Sequence, residues 1–227
     1  MTKLATQLDF WNARSKGFEK VNSPLVPDEK DIAFHKQYLK KGGKTLILGV
    51  TPSFCEIAKE IAASITAVDF SGGMINKLKQ DGVTYICMDW QEYFDQTDEL
   101  FDNILTDAGM ACIAYPKGWK DMAISLNNHL KPNGIFSSRF FLSTQVSPKE
   151  HYDNPDTNRI VPGMANLDSN WMRKPQLDSY RDYDVPWAFP TEEVVLENFD
   201  NLLLIGKHVP DYEEGERFIS FAWQKDN

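Results

Sequence analysis

The chain has 227 residues, 42% of them hydrophobic and 12% aromatic, with 24 Lys+Arg against 33 Asp+Glu and a formal net charge of −9. That length supports a single domain with a sizeable core, and the apolar content excludes a disordered chain. The acidic balance argues against a nucleic-acid backbone or an anionic membrane as main partner, because both require basic surface.

Residues 1–18 lack the apolar core of a signal peptide, and no run approaches the roughly 18 apolar residues of a membrane span. Cys55, Cys87 and Cys112 lie far apart without CxxC spacing, which fits reduced thiols. The expectation is a soluble cytoplasmic protein with no metal. Leu4, Leu8, Trp11 and Phe18 suit a short amphipathic helix within 4–20. Ser23-Pro24-Leu25-Val26-Pro27 breaks it, and Asp28 opens a second helix to about Lys41, ended by Gly42-Gly43. Strands and helices then alternate: strand 45–48, helix 54–63, strand 65–68, helix 73–79, strand 83–87, strand 101–106, helix 117–130 and strand 134–141. Continuous apolar strands separated by helices predict a doubly wound α/β domain with a mostly parallel sheet, covered on both faces.

Residues 143–190 interrupt this rhythm. They hold six of the twelve prolines, together with Tyr152, Trp171, Tyr180, Tyr183 and Trp187, and 5 basic against 7 acidic side chains. A loop of this length is functional or mobile. A helix near 191–199 and strands 202–208 and 218–224 follow, and an acidic connector between the strands predicts an antiparallel pair closing the sheet edge. Residues 191–227 carry 3 basic and 9 acidic side chains, whereas residues 1–142 carry 16 and 17, so the surplus charge is mainly C-terminal. The expected organisation is one domain: N-terminal lid helices at 1–43, a core at 44–142, a substrate-side insert at 143–190 and a C-terminal helix and hairpin at 191–227.

Four residues end four successive strands on one edge: Gly49, Asp69, Asp89 and Asp107. Gly49 permits close backbone approach at a helix N-terminus, although Thr51 and Ser53 stand where a dinucleotide fingerprint has glycines. Asp69 lies 20 residues later, the spacing at which an acid meets a ribose hydroxyl. A helix cap is the alternative for Asp69, and Ser71 can serve that role. Asp89-Trp90 suits adenine recognition, or else a surface cap beside a core Trp. Together the four point to one nucleoside site.

With these motifs in order, residues 45–142 resemble class I S-adenosylmethionine-dependent methyltransferases. Leu46-Ile-Leu-Gly-Val-Thr-Pro52 is similar to a bacterial variant first motif, and Val68-Asp-Phe-Ser-Gly-Gly-Met74 to the second. Met88-Asp-Trp90 is similar to the adenine motif and Phe101-Asp-Asn-Ile-Leu-Thr-Asp107 to the fourth motif. Leu130-Lys-Pro-Asn-Gly-Ile-Phe136 is similar to the segment that usually reads LKPGG. The resemblance implies a seven-stranded Rossmann-like fold with S-adenosylmethionine as cofactor and S-adenosylhomocysteine as product. It implies cofactor binding at Gly49, Val50, Thr51, Ser53, Asp69, Phe70, Met74, Asp89, Trp90 and Asp107, with Trp11, Ser23 and Pro24 in a covering lid. The implied reaction is in-line methyl transfer, and the aromatic insert suits a small-molecule acceptor rather than nucleic acid. Candidates for a general base are His35, Asp107, Tyr115 and His151; candidates for substrate contact are Arg139, Trp171 and Trp187. Arg139 is read either as an anion holder in the cleft or as half of an internal salt bridge. Two rivals share the fold features: a related binding protein without turnover and an NAD(P)-dependent oxidoreductase.

Overall fold

The computed structural model describes residues 6–20, 25–142, 188–212 and 215–227. Seven strands form one sheet in the order β3-β2-β1-β4-β5-β7-β6. They are β1 Lys44–Leu48, β2 Ser64–Asp69, β3 Thr84–Cys87, β4 Phe101–Asp107, β5 Leu130–Arg139, β6 Leu203–His208 and β7 Ser220–Gln224. β1 to β5 run parallel, and β7 runs antiparallel to both β5 and β6. The doubly wound sheet with an antiparallel C-terminal edge is the observed architecture.

Alternation along the strands divides the core. Ile47, Ala67 and Leu105 face helices α2 (Glu29–Tyr38) and α3 (Pro52–Ile61), packing with Phe54, Ile57 and Ile61. Leu46, Leu48 and Ile104 face the opposite side with Trp119, Met122 and Leu126 of α6 (Lys117–His129), and Val195 of α7 (Glu192–Asn198) joins them. Burial on both faces explains why these strands read as continuous apolar runs. Local caps fix the helix starts. Asp28 and Asp31 form a capping box on α2, and Thr191 caps α7.

Three details depart from expectation. The N-terminal helix is shorter: α1 spans Gln7–Arg14 and gives way to a 3₁₀ turn at Ser15–Lys20. The turn Lys131-Pro132-Asn133-Gly134 lies inside β5, opposite a register shift between Phe101 and Asn103. There Asn133 has φ 61°, and a Cβ on Gly134 would meet the Lys131 carbonyl at 2.7 Å. Finally, α5 (Trp90–Gln96) stands between β3 and β4, where no helix is legible in the sequence. It is mostly polar and buries only Tyr93 and Phe94, too short a stripe to register as periodicity. The remaining α-helix among the described residues, α4 (Gly72–Leu78), follows β2 and is capped by Ser71.

Candidate functional site

The carboxyl ends of β1, β2, β3 and β4 converge on a cavity of about 230 Å³. Its floor comprises Leu48, Gly49, Val50 and Thr51 from the β1 turn, Asp69 and Phe70 from the β2 turn, and Asp89 and Trp90 after β3. Asp107, Gly109, Cys112 and Ile113 complete it on the β4 side, and Met74 of α4 closes one wall. Gln7 and Trp11 of α1, Phe18 of the 3₁₀ turn, and Leu25 and Val26 form the roof.

Gly49 adopts φ 104°, a left-handed conformation that strains any side chain. Its N–H donates to the Val68 carbonyl at 2.8 Å, which bends the chain over the end of β2. Thr51 opens α3 without making a side-chain cap, and Pro52 occupies its first turn. The helix start is thus presented to the pocket uncapped, an arrangement suited to a polar or anionic group.

Asp69 accepts from the Ser71 N–H at 2.7 Å through Oδ1. Burial pushes its carboxyl up to about 6, with the Ser71 N–H opposing. A desolvated carboxylate in a pocket wall is stabilised by incoming hydrogen-bond donors. Ser71 takes the cap of α4, so Asp69 does not serve there. Trp90 is anchored by Nε1 donating to the Val68 carbonyl at 2.8 Å, and its ring lies across Gly49 and Gly109. Asp89 caps α5 through Oδ1, accepting from Gln91 and Glu92, and also borders the pocket. The cap reading of Asp89 is therefore the one observed, in a residue that also borders the cavity.

Nine of the ten residues expected to hold a cofactor line this cavity; Ser53, one step further into α3, is absent from its lining. The roof adds Trp11, as expected, and residues that sequence reasoning missed: Gln7, Phe18, Leu25 and Val26. Gly109, Cys112 and Ile113 were missed as well. A Gly two residues past the end of β4 was the available signal for that wall. Cys112 is partly exposed to the cavity, and desolvation there pushes its thiol up to about 12.

Other candidates are corrected by position. Arg139 is 1% exposed and does not enter the cleft. Its Nε donates to Asp107 Oδ1 at 2.7 Å, and its guanidinium lies 3.6 Å from Asp31 of α2. The internal salt bridge prevails because the Arg139 side chain ends beneath α2, where two buried carboxylates require a cation. His35 is neither a surface residue nor a base facing the cavity. It is buried against Phe54, with Nδ1 2.8 Å from Ser137 Oγ, and burial lowers its pKa to about 3. Tyr115 packs edge-on to Trp119 outside the cavity lining. His151, Trp171, Trp187, Ser23 and Pro24 lie outside the described residues. Among the described residues, no group of three or more His, Cys, Asp or Glu side chains is placed to hold a metal ion, and no helix is long and apolar enough to cross a membrane.

No protein-family model matches the chain, and no curated protein matches it significantly. Solved structures do match. The N-methyltransferase NodS from Bradyrhizobium japonicum WM9, in complex with S-adenosyl-L-homocysteine, superposes with a TM-score of 0.60 at 12% identity, covering 95% of this chain and 99% of that one. The DhpI–SAH complex gives 0.63 at 15% identity, with 97% and 95% covered. The CcbJ methyltransferase from Streptomyces caelestis gives 0.65 at 11% identity, with 96% and 98% covered. Identities this low establish a shared fold along nearly the whole chain, and leave chemistry to the residues of the site.

Proposed function

We propose that the cavity binds S-adenosylmethionine and that the protein transfers its methyl group to a small-molecule acceptor. One observation carries this reading: Gly49, Asp69, Trp90 and Asp107, from four separate strand ends, line a single roofed cavity at the carboxyl edge of the sheet. The N-methyltransferase NodS and the protein DhpI each hold S-adenosylhomocysteine on the same fold. The residues here suit that molecule. The half-buried Asp69 carboxylate receives the paired ribose hydroxyls, which supply the donors its desolvation demands. Trp90, Phe70, Met74 and Ile113 offer apolar contact to the purine, and the open turn at Gly49-Val50-Thr51 approaches the amino-acid end.

S-adenosylmethionine supplies a methyl group already activated by its sulfonium, so the protein's task is alignment and exclusion of water. The roof of Trp11, Phe18, Leu25 and Val26 excludes water from above. Asp107 faces the cavity as a carboxylate oriented by Arg139, and it is the described candidate base with access to the cavity. The acceptor is read as a small molecule because the insert at 143–190 is aromatic and slightly acidic.

Titration calorimetry with S-adenosylhomocysteine and with NAD separates this reading from the oxidoreductase. Binding of the former alone is expected, and binding of NAD alone would overturn the proposal. Incubation with methyl-labelled cofactor and a metabolite extract then tests turnover. Label in a small molecule supports transfer; tight binding without transfer to any acceptor supports the binding protein without turnover.

A further inference from the structure

We propose that Asn12 is a positioning residue that latches the roof to the loop carrying Asp69, and so sets how fast the bound nucleoside leaves. This rests on the cofactor reading above.

Helix α1 crosses the start of α4 at backbone contact. A Cβ on Gly73 would lie 2.8 Å from Asn12 Oδ1, 3.0 Å from Ser15 Oγ and 3.3 Å from Asn12 Cα, so the crossing exists because residue 73 has no side chain. At the crossing, Asn12 Oδ1 accepts two hydrogen bonds, from Ser71 Oγ at 2.8 Å and from the Gly73 N–H at 3.1 Å. Ser71 Oγ accepts in turn from the Met74 N–H, and the Ser71 N–H donates to Asp69 Oδ1. A continuous run of hydrogen bonds therefore links the roof helix, through Ser71, to the carboxylate assigned to the ribose.

Asn12 shares the anchoring of the roof with Phe10 and with Trp11, which packs beside Val50 and Met74. An isolated helix of eight residues is unstable in water, so α1 depends on what it touches. It packs on α4 and on its own 3₁₀ turn, with Phe10 as its buried anchor and Ser15 Oγ bonded back to the Asn12 carbonyl. Gln7 and Trp11 flank this contact and cover the cavity. A nucleoside beneath them exchanges when α1 lifts from α4, and lifting breaks both bonds to Asn12. Asn12 thereby acts on ligand residence through Ser71 and Asp69 without lining the cavity itself.

Stopped-flow displacement of S-adenosylhomocysteine, followed by the fluorescence of Trp11 and Trp90, measures release. Amide exchange over residues 7–14 and at Gly73 measures roof opening in the ligand-free protein. Asn12→Ala is expected to release ligand about tenfold faster, the factor corresponding to about 1.4 kcal/mol in one net hydrogen bond, and to exchange faster over residues 7–14 with global unfolding unchanged. Ser71→Ala is expected to accelerate release too, and the double variant to be no faster than the faster single variant, because both sever the same link. Equal release by wild type and Asn12→Ala, or multiplying effects in the double variant, overturns the latch. Failure of the wild type to bind S-adenosylhomocysteine overturns the cofactor reading and the claim about release together. In that event, unchanged exchange over residues 7–14 in Asn12→Ala removes the roof contact as well, and faster exchange retains it as a structural latch.

Discussion

Arg139 Nε lies 2.7 Å from Asp107 Oδ1, and the two residues are register partners at the ends of β5 and β4. The same guanidinium reaches Asp31 of α2 and sits over the Phe218 ring, 5.5 Å from its centroid. One cation thus ties the helix before β1 to the end of β5 and to the end of β4, which borders the cavity. Its removal takes the guanidinium from two carboxylates, each less than a tenth exposed, and leaves Asp31 beside the His208 imidazole at 3.6 Å.

Arg139→Met is expected to destabilise the protein by about 3–5 kcal/mol, the cost of breaking a buried pair from one side. Arg139→Lys should recover only part of this, since an ammonium cannot span both carboxylates as a planar guanidinium does. Urea unfolding checks both variants. A loss below about 1 kcal/mol for Arg139→Met, typical of a surface pair, would contradict the ion cluster.

Acid should act on two desolvated groups in opposite directions. His35 has a folded pKa of about 3 against 6.5 when unfolded. The unfolded chain therefore takes up a proton that the folded chain refuses, and stability falls as pH drops from 6.5 toward 3. Asp69 has a folded pKa of about 6 against 3.8. Here the folded chain takes up the proton first, so stability rises as pH falls through that interval. Burial also raises Asp31, which adds to the rise. Asp69→Asn deletes one compensating contribution. Relative to wild type, it should lose about 1.4 kcal/mol per pH unit between pH 6 and 4, measured by chemical unfolding at each pH. Parallel stability profiles for the two proteins would show that Asp69 titrates as an ordinary carboxyl.

The cofactor reading gives Asp69 a second pH signature. Ribose hydroxyls donate to its carboxylate, and protonation removes an acceptor. Affinity for S-adenosylhomocysteine should be flat above pH 6 and decline below it by up to tenfold per unit, the limit for one linked proton. Asp69→Asn should lower affinity at neutral pH by about 1–3 kcal/mol and flatten the profile. Calorimetry across pH 5–8 checks both outcomes, and a wild-type profile without a bend near pH 6 would refute the assigned role.

The chain order of strands and most of the cavity floor were legible because Gly49, Asp69, Asp89 and Asp107 each directly end or follow an apolar run. Local sequence marks such strand ends. The roof was harder to read: Gln7 and Phe18 belong to a polar segment whose place is set by the Asn12 contact to Gly73, a relation 61 residues apart in sequence. The choice between the two readings of Arg139 was open in sequence, and His35 stood as a candidate base, for a related reason. Both gain their surroundings from α2 folding across β5, where His35 meets Ser137 over a separation of 102 residues. A histidine in a polar helix carries no local mark that its face will be buried. Helix α5 escaped notice because its aromatics Trp90, Tyr93 and Phe94 span barely more than one turn, too short for a period to show.

Gly109 supports a last prediction, about the cavity wall. A Cβ at this position would lie 2.3 Å from Trp90 Cη2 and 2.7 Å from Thr106 Oγ1. The indole cannot retreat freely, because its Nε1 is bonded to the Val68 carbonyl, which also accepts from the Gly49 N–H. Displacing Trp90 therefore disturbs the β1 turn. Gly109→Ala should cost about 1–3 kcal/mol through overpacking and weaken S-adenosylhomocysteine binding at least tenfold. Adding Trp90→Leu removes the clashing ring while the Gly49 N–H keeps its acceptor. The double variant should then be more stable than the sum of the two single losses implies, a coupling that thermal or urea unfolding reads directly. Additive losses would show that the 109 side chain is accommodated elsewhere and that Trp90 does not determine the glycine.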